Sequence, residues 1–174
     1  MGKTEILYQY LQHMKWADAE IWKKVLTLSS FEPDNRVKKL LYHIHQVQYA
    51  FFLLWTDKTL EITDLEKFAN YQEIIEWGID YQKLLDDFIV SLETSDLNKI
   101  IDIPWSKFFE RKTGKKVSPV TLQESIMQVI THSAYHRAQI NTRFRELGVE
   151  PINIDFIVWV WLGKPKINLK NLLV

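Results

Sequence analysis

Apolar residues recur along the first part of the chain at the spacings of a helix. From Lys3 to Leu28, the residues Leu7, Leu11, Met14, Ile21, Val25 and Leu28 fall three, four or seven apart, which puts them on one face of an α-helix. Asp18 lies on that same stripe. SSFEPDNR then breaks the pattern with Pro33 and turn-forming polar residues, and a second helix is expected to begin near Asp34 or Asn35. Its stripe runs through Leu40, His43, Val47, Ala50, Phe51 and Leu54.

The polar stretch from Thr56 to Asn70 is long enough to cross the end of a helical bundle. A third helix follows, with Ile74, Gly78, Tyr81, Leu85, Phe88 and Leu92 on one side. A helical glycine costs about 1 kcal/mol relative to alanine, so Gly78 predicts close packing there. Residues 98–118 are rich in β-branched and aromatic types, with Thr113-Gly114 suited to a turn and Pro104 barring a central strand. They predict a small β-hairpin acting as a lid or strap.

The last long helix has two candidate starts: Ser118 as N-cap with Pro119 at the first helical position, or a capping box of Thr121 and Glu124. It should run to about Leu147, where Gly148 and Pro151 stop it. NIDFIVWVWL reads as a short C-terminal helix packed on the bundle. The whole is an all-α four-helix bundle, and residues 1–174 are expected to form one domain around one core.

Composition narrows the function. Lys plus Arg and Asp plus Glu both number 22, leaving no basic excess to displace counterions from a nucleic-acid backbone. The KKVSP cluster, with Arg111 and Lys112 before it, reads as a solvated loop. There is no cysteine, which removes disulfides, thiolate-ligated zinc and a thiol nucleophile together. The N-terminus lacks the pattern of a secretory signal, and the run YAFFLLW is too short to span a bilayer. A cytoplasmic protein without membrane or nucleic-acid partners is expected.

Chemistry concentrates in HSAYHRAQ, residues 132–139. Helix residues four apart are offset by about 40° and about 6 Å, so His132 and His136 can aim both imidazoles at one ion, or merely share a polar face. A metal needs a third ligand. His43 stands on the apolar stripe of the second helix and faces inward; His45, rotated about 200° from it, falls at a boundary or surface position, and His13 lies one residue off the first stripe. Ser133 occupies the place of the glutamate in H-E-x-x-H, so the zinc-protease base is missing.

HSAYHRAQINTRFRELGVEPINIDFIVWVW resembles the signature of the DinB/YfiT-like superfamily, H-x-x-x-H-R-[AG]-Q with a following Arg, Gly, Pro, Asp and aromatics. YQYLQHMKWADAEIW and LLYHIHQVQYAFFLLW are similar to that family's first two helices. The resemblance implies a four-helix bundle with long connections and a divalent metal, nickel or zinc foremost, held by residues matching His43, His132 and His136. Some such proteins transfer a low-molecular-weight thiol such as bacillithiol to an electrophile; others are mycothiol-dependent maleylpyruvate isomerases or are classed as metal-dependent hydrolases. Thiol transfer to a small electrophile is the leading expectation here, with hydrolysis or a non-catalytic, stress-linked metal-binding bundle as alternatives. This chain departs at Asp18, where the family often has Asn; the carboxylate is expected to hold an imidazole, to be a fourth ligand, or to be no more than a helix-end salt-bridge partner.

Asp18, Gln128 and Gln139 are candidate hydrogen-bond partners fixing the imidazoles, against solvated helix surface as the plainer role for the glutamines. Tyr42 and Tyr135 are expected to serve packing, and Arg137, Arg143 and Asp155 to form ion pairs near the C-terminal segment. Trp16, Trp22, Trp55 and Trp77 are expected in the core. Trp159, Trp161 and the tail KINLKNLLV are expected at a homodimer contact.

Overall fold

The computed structural model describes residues 3–28 and 34–167. Six helices are found there: α1 (Lys3–Thr27), α2 (Asn35–Trp55), α3 (Tyr71–Ser91), α4 (Ser106–Thr113), α5 (Leu122–Glu146) and α6 (Phe156–Trp161). Helices α1, α2, α3 and α5 make the bundle, and α2 packs most extensively against α5. None of these helices is long and apolar enough to cross a membrane.

Local chemistry sets the ends. The Asp34 carboxylate caps α2 by accepting from the amides of Arg36 and Val37 at 3.1 and 3.0 Å. Asn70 caps α3 through the Glu73 amide. For α5 the capping box decides: the Glu124 amide donates to Thr121 Oγ1 at 3.2 Å, and the Thr121 amide to Glu124 Oε2 at 2.8 Å. Ser118 and Pro119 therefore lie outside α5, exposed, ahead of a short strand.

The expected hairpin is present but smaller and differently built. β1 (Ile100–Ile101) pairs antiparallel with β2 (Val120–Thr121), and the chain between them carries α4. Pro104 has no amide to continue a ladder, and the chain turns at once, with the Ser106 amide donating to Ile103 O. Gly114, at φ 68°, ends α4 in the left-handed conformation, so Thr113-Gly114 is a helix end and not a strand turn.

Two apolar cores sit at opposite ends of the bundle. One gathers Leu11, Met14, Phe52, Trp55, Leu85 and Ile126; the other Trp22, Val25, Leu41, Ile74, Ile140 and Phe144. Reading each helix from one core to the other gives the directions: α1 and α5 run one way, α2 and α3 the other. The parallel pair α2 and α3 is why the segment 56–70 must cross the length of the bundle. Trp16 and Trp159 form a third, smaller cluster with Ala17 beneath α6.

Between the two main cores lies a buried polar layer. Trp22 Nε1 donates to His45 Nε2 at 3.0 Å, His45 Nδ1 donates to Gln48 Oε1 at 2.9 Å, and Gln48 Nε2 reaches Asp18 Oδ2 at 2.8 Å and Ser133 Oγ at 3.1 Å. Arg137 Nη1 closes the set on Asp18 Oδ1 at 2.6 Å. All six side chains are buried. His45 thus corrects the surface expectation: α2 is covered on two sides, and its second stripe, Val37, Leu41, Ile44, Gln48, Phe52 and Trp55, faces the core.

Gly78 is what lets α3 close on this layer. A Cβ there would stand 2.8 Å from His45 Nε2 and 2.9 Å from Trp22 Cζ2. Gly78→Ala should therefore lower stability by about 1–3 kcal/mol from overpacking, despite the better helix former. Urea denaturation checks this, and an unchanged or higher midpoint would refute the close-packing argument.

Candidate metal centre

Halfway along the bundle, α2 and α5 present three half-buried imidazoles to one another at the level of the polar layer. Ser133 and Arg137 project into that layer, while the residues beside them in sequence, His132 and His136, point out of it towards His43. The ring centroids lie 5.0 Å apart for His43 and His132, 4.7 Å for His43 and His136, and 4.4 Å for His132 and His136. One nitrogen of each falls within 4.8 Å of the others. The Nε2 atoms of His132 and His136 stand 3.1 Å apart.

The outer nitrogens explain which atoms are free. Tyr42 Oη donates to the Thr63 carbonyl at 2.7 Å, and Gln46 Nε2 donates to Tyr42 Oη at 2.8 Å. Gln46 Oε1 is thereby turned to His43 Nδ1 at 3.3 Å. A carbonyl only accepts, so the direction of the relay puts the His43 proton on Nδ1 and leaves the Nε2 lone pair unprotonated. Gln139 Oε1 does the same for His136, 3.0 Å from Nδ1.

His132 has no such partner: its Nδ1 is buried and makes no hydrogen bond. Where the other imidazoles carry a glutamine three residues later, position 135 is a tyrosine. Gln128 is exposed and makes no hydrogen bond to His132.

Burial favours the neutral form of His132 and His136. Burial, then the neighbouring His136 and His43, push His132 down to about 4. Burial also lowers His136, against the raising effect of Gln139. Neutral imidazoles are the form that ligates a cation, and protons compete less where these values are depressed. Three converging imidazole nitrogens, two with their tautomer set, suit a divalent first-row ion on the chemistry of the donor set.

The remaining sequence candidates fall elsewhere. Asp18 touches none of the three imidazoles; its carboxylate is taken by Gln48 and Arg137. Arg137 forms an ion pair as expected, but inside the bundle rather than near the C-terminal segment. Arg143 pairs with Asp34 and Glu146, at the start of α2 and the end of α5. Asp155 caps α6 by position, with no side-chain hydrogen bond. His13 is buried apart from the cluster, with its Nε2 2.9 Å from the Ile154 carbonyl.

Packing gives a mixed account of the aromatics. Tyr135 is 63% exposed, edge-on to His136 at 5.1 Å, rather than packed in the interior. Trp16, Trp22 and Trp55 are buried, and Trp77 packs partly against Tyr42 and Phe68. Trp159 is buried within this chain and so is not free for a partner, whereas Trp161 is 75% exposed. Residues 168–174 of the KINLKNLLV tail lie outside the described residues.

Sequence reasoning missed Gln46, and with it the part Tyr42 plays through that glutamine. The signal was available: His-x-x-Gln occurs at 43/46, 45/48 and 136/139, and residues three apart on a helix are neighbours.

The buried histidines also set a pH dependence. His45 and His13 are lowered chiefly by burial, as are His132 and His136. Each binds its proton less readily folded than unfolded, so the unfolded chain holds more protons below the ordinary histidine value of 6.5. Stability of the metal-free protein should be full above about pH 6.5 and fall as the pH drops towards about 4. Urea midpoints at about pH 7.5 and about pH 5 check the sign, and equal midpoints would contradict it.

No curated protein matches the chain. The family model for the DinB family matches residues 1–166, nearly the whole length over which the bundle and its three imidazoles are built, and the chain belongs to that family.

Proposed function

We propose that this protein is a divalent-metal enzyme that joins a low-molecular-weight thiol to a small electrophile, with His43, His132 and His136 as the ligands and zinc or nickel as the ion. The convergence of three imidazole nitrogens from α2 and α5 carries the reading. A bound divalent ion would supply a Lewis-acid centre that lowers the pKa of a water or thiol reaching it. In the reaction the thiol S–H and the bond to the leaving group break, a C–S bond forms, the proton passes to solvent, and the leaving group takes the electron pair.

The chain's own residues then bind and orient. Gln46, held by Tyr42, and Gln139 keep the His43 and His136 rings turned with Nε2 inward. The chain has no cysteine, so any sulfur nucleophile comes from a second substrate.

Metal analysis of protein purified without a histidine tag, followed by incubation with low-molecular-weight thiols and chloro- or epoxide electrophiles, tests the reading. About one ion per chain and a rate above the metal-free control are expected. A fully folded, metal-free protein that takes up no added zinc or nickel would refute it. Metal without transfer would leave a hydrolase or a binding protein.

A further inference from the structure

Two grooves open beside the imidazole cluster, and their chemistry differs. On one side a cavity of about 470 Å³ runs between α2, α5 and the β1–α4 strap; Val47, Phe51, Ile103 and Trp105 make its apolar wall, and Glu124, Ser125, Gln128 and His132 its α5 side. On the other a cavity of about 610 Å³ lies along α2, lined by Asn35, Arg36, Lys39, Leu40 and His43. Arg36 is committed to Glu146, while Lys39 is exposed with no ion-pair partner among the described residues. One groove therefore ends at His132 with an apolar wall, its Glu124 carboxylate taken up by Thr121 in the α5 cap and its Ser125 hydroxyl by Trp55; its counterpart ends at His43 and is cationic.

The strap over the apolar groove is itself unusual. Helix α4 buries none of its residues. Trp105 meets Phe51 edge-on at 5.2 Å, and Trp105, Phe108 and Phe109 are 41%, 62% and 50% exposed. Of these three rings Trp105 lines the groove, and it leaves part of its face open to a ligand. The strap is held at its base, by the β1–β2 pairing and the Leu122 amide on Lys99 O.

We infer that the groove under the strap seats the apolar, aromatic-sized body of a neutral electrophile, whose reactive atom is presented at the His132 end, with Trp105 as the wall that selects it. This rests on the transfer reading above. A neutral apolar molecule loses water most favourably on the Val47, Phe51 and Trp105 surface, and gains nothing from the lysine of the opposite groove.

Titration with N-phenylnaphthylamine, a neutral aromatic probe that brightens on leaving water, tests the assignment in the full-length protein, with zinc and nickel content measured in parallel. Trp105→Ala and Gln128→Arg alter exposed positions and should leave the fold intact. Each is expected to weaken probe binding by about tenfold or more, Lys39→Ala to leave it unchanged, and chlorodinitrobenzene to displace the probe. Wild-type affinity in both groove variants, or an equal loss in Lys39→Ala, would overturn the assignment while leaving the metal reading standing. Probe seated in the groove of a protein that takes up neither zinc nor nickel would overturn the transfer reading and, with it, the electrophile as occupant.

Discussion

Replacing His136 with alanine is expected to abolish stoichiometric metal uptake while the bundle stays folded. His136 is one corner of a near-equilateral triangle of rings, at 4.7 Å from His43 and 4.4 Å from His132, so its loss leaves two of the three nitrogens a metal site needs. The fall in affinity should exceed the roughly 10–100-fold that losing an outer hydrogen-bond partner costs. Tyr42→Phe supplies that smaller effect: without its hydroxyl, Gln46 can turn over and present its amide to His43 Nδ1, releasing the tautomer. A ladder of zinc affinities, wild type above Tyr42→Phe above His136→Ala, is the expected result of competition with a chelator. In the metal-free protein, nitrogen NMR should find the His43 proton on Nδ1, and in Tyr42→Phe spread over both nitrogens. Full zinc affinity in His136→Ala would remove it from the ligand set.

The fold was legible because period and punctuation agree. The stripes of α1 and α3, Asp34 before α2, and Thr121 with Glu124 before α5 each fix an element locally, and the structure keeps those boundaries to within a residue or so. What failed was what one helix cannot announce about its surroundings. The stripe through Leu40, His43 and Val47 is real, yet it is the half-buried seam beside α5, while the more deeply buried face is the one bearing His45 and Gln48. A helix covered on two sides has two apolar faces, and reading one of them as the core sends the other to the surface. His43, expected to face the core, is half-buried on that seam, where α5 brings His132 and His136 to it. Residues 106–113 misled for a different reason: aromatic content suggested strand, but Phe108 and Phe109 stay exposed, so no packing rewards a ladder there.

Asp18 is the residue whose meaning changed most, and its removal should have the largest effect on stability. Of the roles expected for it, imidazole partner, fourth ligand or salt-bridge partner, the ion pair is the one found, though one layer deeper than a helix end: its carboxylate joins Gln48 of α2 to Arg137 of α5 and anchors both on α1. Asp18→Ala would leave the Arg137 guanidinium, 2% exposed and already lacking a partner for its Nε, as an uncompensated buried charge. Breaking such a pair costs about 3–5 kcal/mol, much of the total stability of an ordinary domain, which is about 5–15 kcal/mol. Replacing both partners, Asp18→Ala with Arg137→Met, should recover part of the loss, because no charge is then stranded. Asp18→Asn, which keeps an oxygen for the arginine, should fall between wild type and Asp18→Ala. Chemical denaturation of the four proteins orders them, and an Asp18→Ala variant no less stable than the double would refute the clamp. Since Ser133 and Arg137 sit beside His132 and His136 in sequence, the same layer fixes the register of α5 on α2 that brings His43 to its partners. Zinc affinity should accordingly weaken in Asp18→Asn, although Asp18 touches none of the three rings.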